Sequence, residues 1–92
     1  EIETFGSYKL NQNFPNPFNP FTTINYYVPK SSYVKLTVFS SLGKEIEILL
    51  NEQKQAGYYT VKWNAASLPS GIYFCRMQAD GFMSNIKMIL IR

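Results

Sequence analysis

Hydrophobic and polar residues alternate with a period of two along most of the chain, and no segment has the spacing of an amphipathic helix. In VKLTVFS, Val34, Leu36 and Val38 fall on one face, whereas Lys35 and Thr37 fall on the other. The same alternation predicts five further inward-facing sets: Ile24, Tyr26 and Val28; Ile46, Ile48 and Leu50; Tyr59, Val61 and Trp63; Tyr73, Cys75, Met77 and Ala79; and Ile86, Met88 and Leu90. Strands with one buried and one wetter face are typical of two packed antiparallel sheets. With a short first strand near 8–11, the pattern predicts an all-β, immunoglobulin-like antiparallel β-sandwich of about seven strands.

Turn signals separate the predicted strands. Gly43 can adopt positive φ and close a hairpin at 41–44. Asp80-Gly81 predicts a two-residue type I′ hairpin between the last two strands. The segment NAASLPS at 64–70 is too long for a tight hairpin, so we expect it to cross from one sheet to the other.

Composition adds limits on partners. The chain has 92 residues, enough for one domain with a modest core, and 46% of them are hydrophobic. The chain has nine Lys and Arg residues and six Asp and Glu residues. The basic residues lie singly along the chain and form no basic stripe, so no nucleic-acid partner is predicted. The longest apolar run near the chain's end, at 88–91, is far too short to cross a bilayer, and no transmembrane segment is predicted.

Catalytic and metal-binding chemistry has few candidates. The chain has no His, which removes the commonest general base and metal ligand. Glu45 and Glu47 share a strand face beside a turn and are expected to be solvated, while Cys75 is expected to be a buried hydrophobic residue. Asp80 stands alone in its turn and makes no calcium site. We therefore predict no catalytic residue, no metal site and no cofactor, and a domain that is not itself an enzyme.

The segment NFPNPFNP at 13–20 is the most unusual stretch. Proline fixes φ and lacks a backbone donor, so this segment must lie at a sheet edge or run as a polyproline-like lead-in. We predict a stiff strap that covers an open edge, with Phe14, Phe18 and Phe21 as apolar anchors against the sandwich.

Several segments resemble one family. LNQNFPNPFNPFTTINYYVP, VKLTVFSSLGKEI, AGYYTVKWNA, LPSGIYFCRM and the closing IKMILIR, in this order and spacing, are similar to the type A C-terminal sorting domain of the type IX secretion system of Bacteroidetes-like bacteria. The resemblance covers about residues 8–92. It implies a non-catalytic address label that directs an N-terminally fused cargo through an outer-membrane translocon, for release or for anchoring at the cell surface.

The resemblance also implies partners, locations and site residues. The partners are the outer-membrane translocon and a sortase-like peptidase, and the route runs through the periplasm of a Gram-negative bacterium to the cell surface or the extracellular space. Because the chain opens EIETFG without Met, we expect it to be a piece cut from the end of a longer protein or a processed product. We expect residues 1–9 to be a linker from the cargo and 10–92 to be the sorting domain. The family's motifs fall on Pro15, Asn16, Pro17, Gly71, Tyr73, Lys87, Met88, Ile89, Leu90, Ile91 and Arg92.

An alternative function stays open from the sequence. The same strand pattern suits an immunoglobulin- or fibronectin-like accessory module, carbohydrate-binding or structural, of a secreted hydrolase or adhesin. Tyr27 and Tyr58 are predicted to face outward, and a coplanar aromatic platform there would favour carbohydrate binding. For the sorting function, we expect the last strand and the neighbouring sheet edge to form the docking surface, read by strand addition.

Overall fold

The computed structural model describes residues 6–92 as a β-sandwich of seven strands. All neighbouring strands are antiparallel, in a three-stranded sheet of order β1–β2–β5 and a four-stranded sheet of order β4–β3–β6–β7. This arrangement confirms the predicted all-β sandwich. The described chain contains no helix long and apolar enough to span a membrane. The strands are β1 (Lys9–Leu10), β2 (Phe21–Val28), β3 (Ser32–Ser40), β4 (Glu45–Lys54), β5 (Gly57–Asn64), β6 (Gly71–Ala79) and β7 (Phe82–Leu90).

The core lies between the inner faces of the two sheets. The inward sets predicted on β2, β6 and β7 are buried, as are Val34, Leu36 and Val38 on β3. Trp63 fills the space between the sheets, with its ring centroid 5.8 Å from that of Tyr73 in an edge-to-face arrangement. Burial of these apolar side chains is the main favourable term for the fold.

The structure differs from the prediction in the face of Ile48 and in the burial of Thr37, which keeps its predicted outer face. Ile48 was predicted to face inward, but it is exposed because a bulge opposite Leu36 and Thr37 skips Leu49 in the pairing of β3 with β4. Thr37 was predicted on a wetter face, yet it is buried, since Ile48 and Arg76 flank it on the neighbouring strands of the four-stranded sheet. Both residues therefore share the outer face of that sheet.

The turns follow the predictions. Gly43 has φ of 86° and closes the β3–β4 hairpin, in which the N–H of Ser40 donates to the carbonyl of Lys44 at 2.8 Å. Asp80 and Gly81 have φ of 46° and 85°, the positive values that a type I′ turn requires. The loop between β5 and β6 does cross from one sheet to the other.

Candidate functional site

Residues 13–20, which we call the strap, run along the outer edge of β7. Phe18 forms a parallel bridge with Leu90. The N–H of Phe18 donates to the carbonyl of Ile89 at 2.9 Å, and the N–H of Ile91 donates to the carbonyl of Phe18 at 3.0 Å. The strap thus acts as a short extra strand on β7, which confirms its predicted position at a sheet edge.

Side-chain amides complete the pairing where prolines cannot. The Oδ1 of Asn16 accepts the N–H of Ile89 at 2.8 Å. The carbonyl of Lys87 accepts from the Nδ2 of Asn16 at 3.3 Å and from the Nε2 of Gln12 at 2.6 Å. An asparagine amide carries both a donor and an acceptor, so Asn16 replaces the backbone pairing that Pro15 and Pro17 interrupt.

The beginning of the strap is attached to the other sheet. Phe14 and Thr23 exchange two backbone hydrogen bonds of 2.9 Å. Asn13 is buried, and its Nδ2 donates to the Oγ1 of Thr22 at 2.9 Å and to the carbonyl of Pro15 at 3.1 Å. Since its first residues pair with β2 and its later ones with β7, the strap closes one side of the sandwich.

Only one of the three predicted anchors is buried. Phe18 is 2% exposed and packs on Trp63, with ring centroids 5.6 Å apart. Phe14 and Phe21 are 78% and 57% exposed, so the prediction that they anchor the strap was wrong. Phe21 begins β2 next to the buried Thr22, and successive strand residues point to opposite faces, which turns the Phe21 ring outward.

Arg92 attaches the end of the chain to the β5–β6 loop. Its guanidinium donates to the carbonyls of Ala66 at 2.5 Å and Leu68 at 2.6 Å. Its backbone N–H donates to the Oγ of Ser70 at 2.9 Å. Both of these side-chain bonds come from a single nitrogen of the guanidinium, Nη1, which carries two N–H donors.

The same loop also contacts the strap. The N–H of Ala65 donates to the carbonyl of Pro20 at 2.9 Å. The hydroxyl of Tyr73, at the start of β6, donates to the carbonyl of Pro69 at 2.7 Å and holds the loop against its own strand. The strap, the β5–β6 loop and residues 87–92 therefore meet at one end of the sandwich, which we call the motif end.

The predicted site residues come together at the motif end, but their accessibility differs. Tyr73, Met88 and Leu90 belong to the core, with at most 5% of their surface exposed. Asn16 and Ile89 are half-buried. The exposed members are Pro15, Pro17, Gly71, Lys87, Ile91 and Arg92.

Four residues that the sequence reasoning did not single out support this arrangement. Asn13 and Thr22 form the buried polar contact below the strap, Gln12 bonds the carbonyl of Lys87, and Ala65 is fully buried beside Pro20. The sequence did contain a signal for Asn13, because an asparagine next to prolines can form hydrogen bonds to nearby backbone groups.

The remaining chemical groups have structural roles. Burial raises the pKa of the Cys75 thiol to about 12, so it stays protonated and is a poor nucleophile. The carboxylate of Glu47 accepts the Nε1–H of Trp63 at 3.1 Å. Within residues 6–92, no three His, Cys, Asp or Glu side chains are grouped so as to hold a metal ion. The rings of Tyr27 and Tyr58 lie 4.5 Å apart but are tilted by 41°, so they do not form a coplanar platform.

Comparison with known proteins gives one match. A family model described as "Secretion system C-terminal sorting domain" matches residues 12–92, which include the strap, the β5–β6 loop and the last strand. No curated protein and no solved structure matches the chain.

Proposed function

The chain belongs to the secretion system C-terminal sorting domain family, and we propose that it carries its cargo to the outer-membrane translocon of the type IX secretion system. Members of this family are non-catalytic sorting signals for type IX secretion. Membership implies a cargo on the N-terminal side and delivery to the cell surface or the extracellular space. The observation that carries this conclusion is the family match over residues 12–92.

We also propose the individual steps by which the cargo is exported. The folded domain passes through the periplasm, binds the translocon, and is then removed by a sortase-like peptidase. The chain itself performs no catalysis, so any enzymatic activity lies in the cargo. We also propose that residues 1–9 form the linker to the cargo and 10–92 the sorting domain; the last linker residue, Lys9, already pairs with Tyr27 in the sandwich.

Accessibility divides the proposed recognition residues into two groups. A partner that binds the folded domain can touch the exposed residues Pro15, Pro17, Lys87 and Ile91. It cannot touch Met88, whose side chain supports the core. We therefore propose that the exposed members are read directly and that the buried members keep the motif end folded.

The mode of recognition follows from the hydrogen bonds on β7. Strand addition needs free backbone donors and acceptors along an edge. On residues 87–91, the edge groups already bond to Phe18, Asn16 and Gln12. A partner strand would have to displace the strap, so we propose that the docking surface is the combined surface of the strap and the last strand.

A reporter fusion tests the function. A fluorescent protein with a signal peptide and this chain at its C-terminus is expressed in a host with a type IX translocon and in a translocon-deficient strain. We expect surface delivery only in the first host. A matched fusion lacking Lys87–Arg92 should stay in the periplasm, because that deletion removes two core residues and the Arg92 contacts.

Surface delivery is measured as the fraction of the fluorescent fusion that an added protease can cleave on intact cells. Equal delivery of the complete fusion in both strains would contradict the sorting function. Normal export of the truncated fusion would show that the motif end is not needed.

A further inference from the structure

A groove on the outer face of the four-stranded sheet contains a positioned guanidinium with no acidic partner. The groove has a volume of about 330 Å³, is lined by the cross-strand pair Phe39 and Phe74, and lies next to the β3–β4 turn. Arg76 and Asn85 also line it, together with Ser40 and Ser41. None of the side chains that line it is acidic.

Two contacts hold the guanidinium of Arg76 in place. Its Nε donates to the Oδ1 of Asn85 at 3.1 Å, across the β6–β7 pair. Its Cζ lies 4.8 Å from the centroid of the Phe39 ring, within the range of a cation–π interaction. The side chain is half-buried and already ordered in the free protein, so it loses less conformational entropy when a ligand binds.

The outward-facing donors of Arg76 are available. Within residues 6–92, its terminal NH₂ groups donate to no other side chain or carbonyl, and no carboxylate lies at ion-pair distance. The Nδ2 of Asn85 and the hydroxyl of Ser41 are likewise unbonded in this part of the chain. The groove therefore presents several hydrogen-bond donors and one positive charge beside two aromatic side chains.

This combination fits a carboxylate that is attached to an apolar group. A planar carboxylate accepts two parallel bonds from a guanidinium, and the apolar neighbour packs on Phe39 and Phe74. A phosphate site usually gathers several cations or backbone N–H groups, whereas only one cation lines this groove. The next cation on this face is Lys87, which pairs with Phe74 across β6 and β7.

We propose that the Arg76 groove binds an Asp or Glu side chain of the partner that reads the motif end. This inference rests on the proposed sorting function, because Lys87 belongs to both surfaces and the partner is the secretion machinery. Charge complementarity identifies the partner's segment as acidic with apolar neighbours. A second copy of the chain fits less well, because cations outnumber acids on this face: it carries Lys35, Arg76 and Lys87 against Glu45, which pairs with Phe39.

The first test measures binding to the isolated 92-residue chain by NMR. N-acetyl-Leu-Glu-Leu-amide should shift the Nε–H resonance of Arg76 saturably, with Kd on the order of 1 mM. The matched peptide with Gln in place of Glu should bind at least about tenfold more weakly, because it lacks the charge. Arg76→Gln should abolish the effect of the Glu peptide. Equal shifts from the two peptides, or tighter binding of inorganic phosphate than of the Glu peptide, would overturn the proposal.

The second test uses the reporter fusion. Arg76→Gln should reduce surface delivery by about tenfold while leaving the melting temperature within a few degrees of the parent. Lys9→Gln makes the same charge change at an exposed position of the other sheet, away from the strap, and should be delivered normally. Normal delivery of Arg76→Gln would overturn the inference and leave the sorting function intact. Failure of the unmodified fusion to depend on the translocon would instead refute the sorting function.

Discussion

The two ends of β7 are stabilised in different ways. At the hairpin end, the ammonium of Lys30 lies 3.0 Å from the carboxylate of Asp80, and both side chains are more than half exposed. Tyr8 stacks on Phe82 beside this pair, with ring centroids 5.3 Å apart. At the motif end, backbone hydrogen bonds join the strap to β7, and Phe18 is buried.

This difference predicts which end of the domain contributes more to its stability against unfolding. Exposed ion pairs contribute little, because both charges are well hydrated and the side chains lose entropy on pairing. A buried aromatic ring and satisfied backbone groups contribute much more. The motif end, where the proposed recognition residues lie, is therefore the more firmly held of the two, which suits a surface that is read in the folded state.

The largest effect is expected when the motif end loses its aromatic anchor. Phe18→Ala removes a ring that packs on Trp63, so we expect the free energy of unfolding to fall by about 3–5 kcal/mol. Phe14→Ala is the matched control, because the Phe14 ring is 78% exposed and should change stability by no more than about 0.5 kcal/mol. Urea denaturation measures both values. Similar losses for the two variants would show that Phe18 is not the anchor.

A smaller effect is expected when only the strap's edge pairing is changed. Asn16→Ala removes the acceptor for the N–H of Ile89, so the free energy of unfolding should fall by about 1 kcal/mol. Hydrogen exchange at the Ile89 amide should become faster, since this group becomes accessible to water. Asn19→Ala is the control, because Asn19 is exposed. If Ile89 exchanges at the parent rate in Asn16→Ala, the side chain does not pair with the strand.

The two ends of β7 also show which structural features can be predicted from the sequence. Alternation predicted the sandwich because one buried face on each strand imposes a period of two. It failed at Ile48, because a bulge depends on the pairing of two strands and leaves no period in either of them. Prolines predicted the strap's position at an edge, whereas the bonds from Asn16 to β7 join residues more than 70 positions apart and have no local signal. The Arg76 groove was missed for the same reason, since its walls come from three strands.

The smallest effect is expected at the hairpin end, where pH provides the probe. The hydrogen bond and charge of Lys30 hold the pKa of Asp80 below its usual range, and in return the pKa of Lys30 is raised. Because the pKa of Asp80 is lower in the folded state, the pair stabilises the fold above the unfolded pKa, and this contribution is lost as pH falls through the folded value. Lys30→Gln should move the pKa of Asp80 back toward its ordinary value, as measured by the ¹³C shift of its carboxyl carbon. Lys35 is a nearby cation that is not paired with Asp80, so the control Lys35→Gln should leave the titration of Asp80 unchanged. An unchanged pKa of Asp80 in Lys30→Gln would show that the pair does not form in solution.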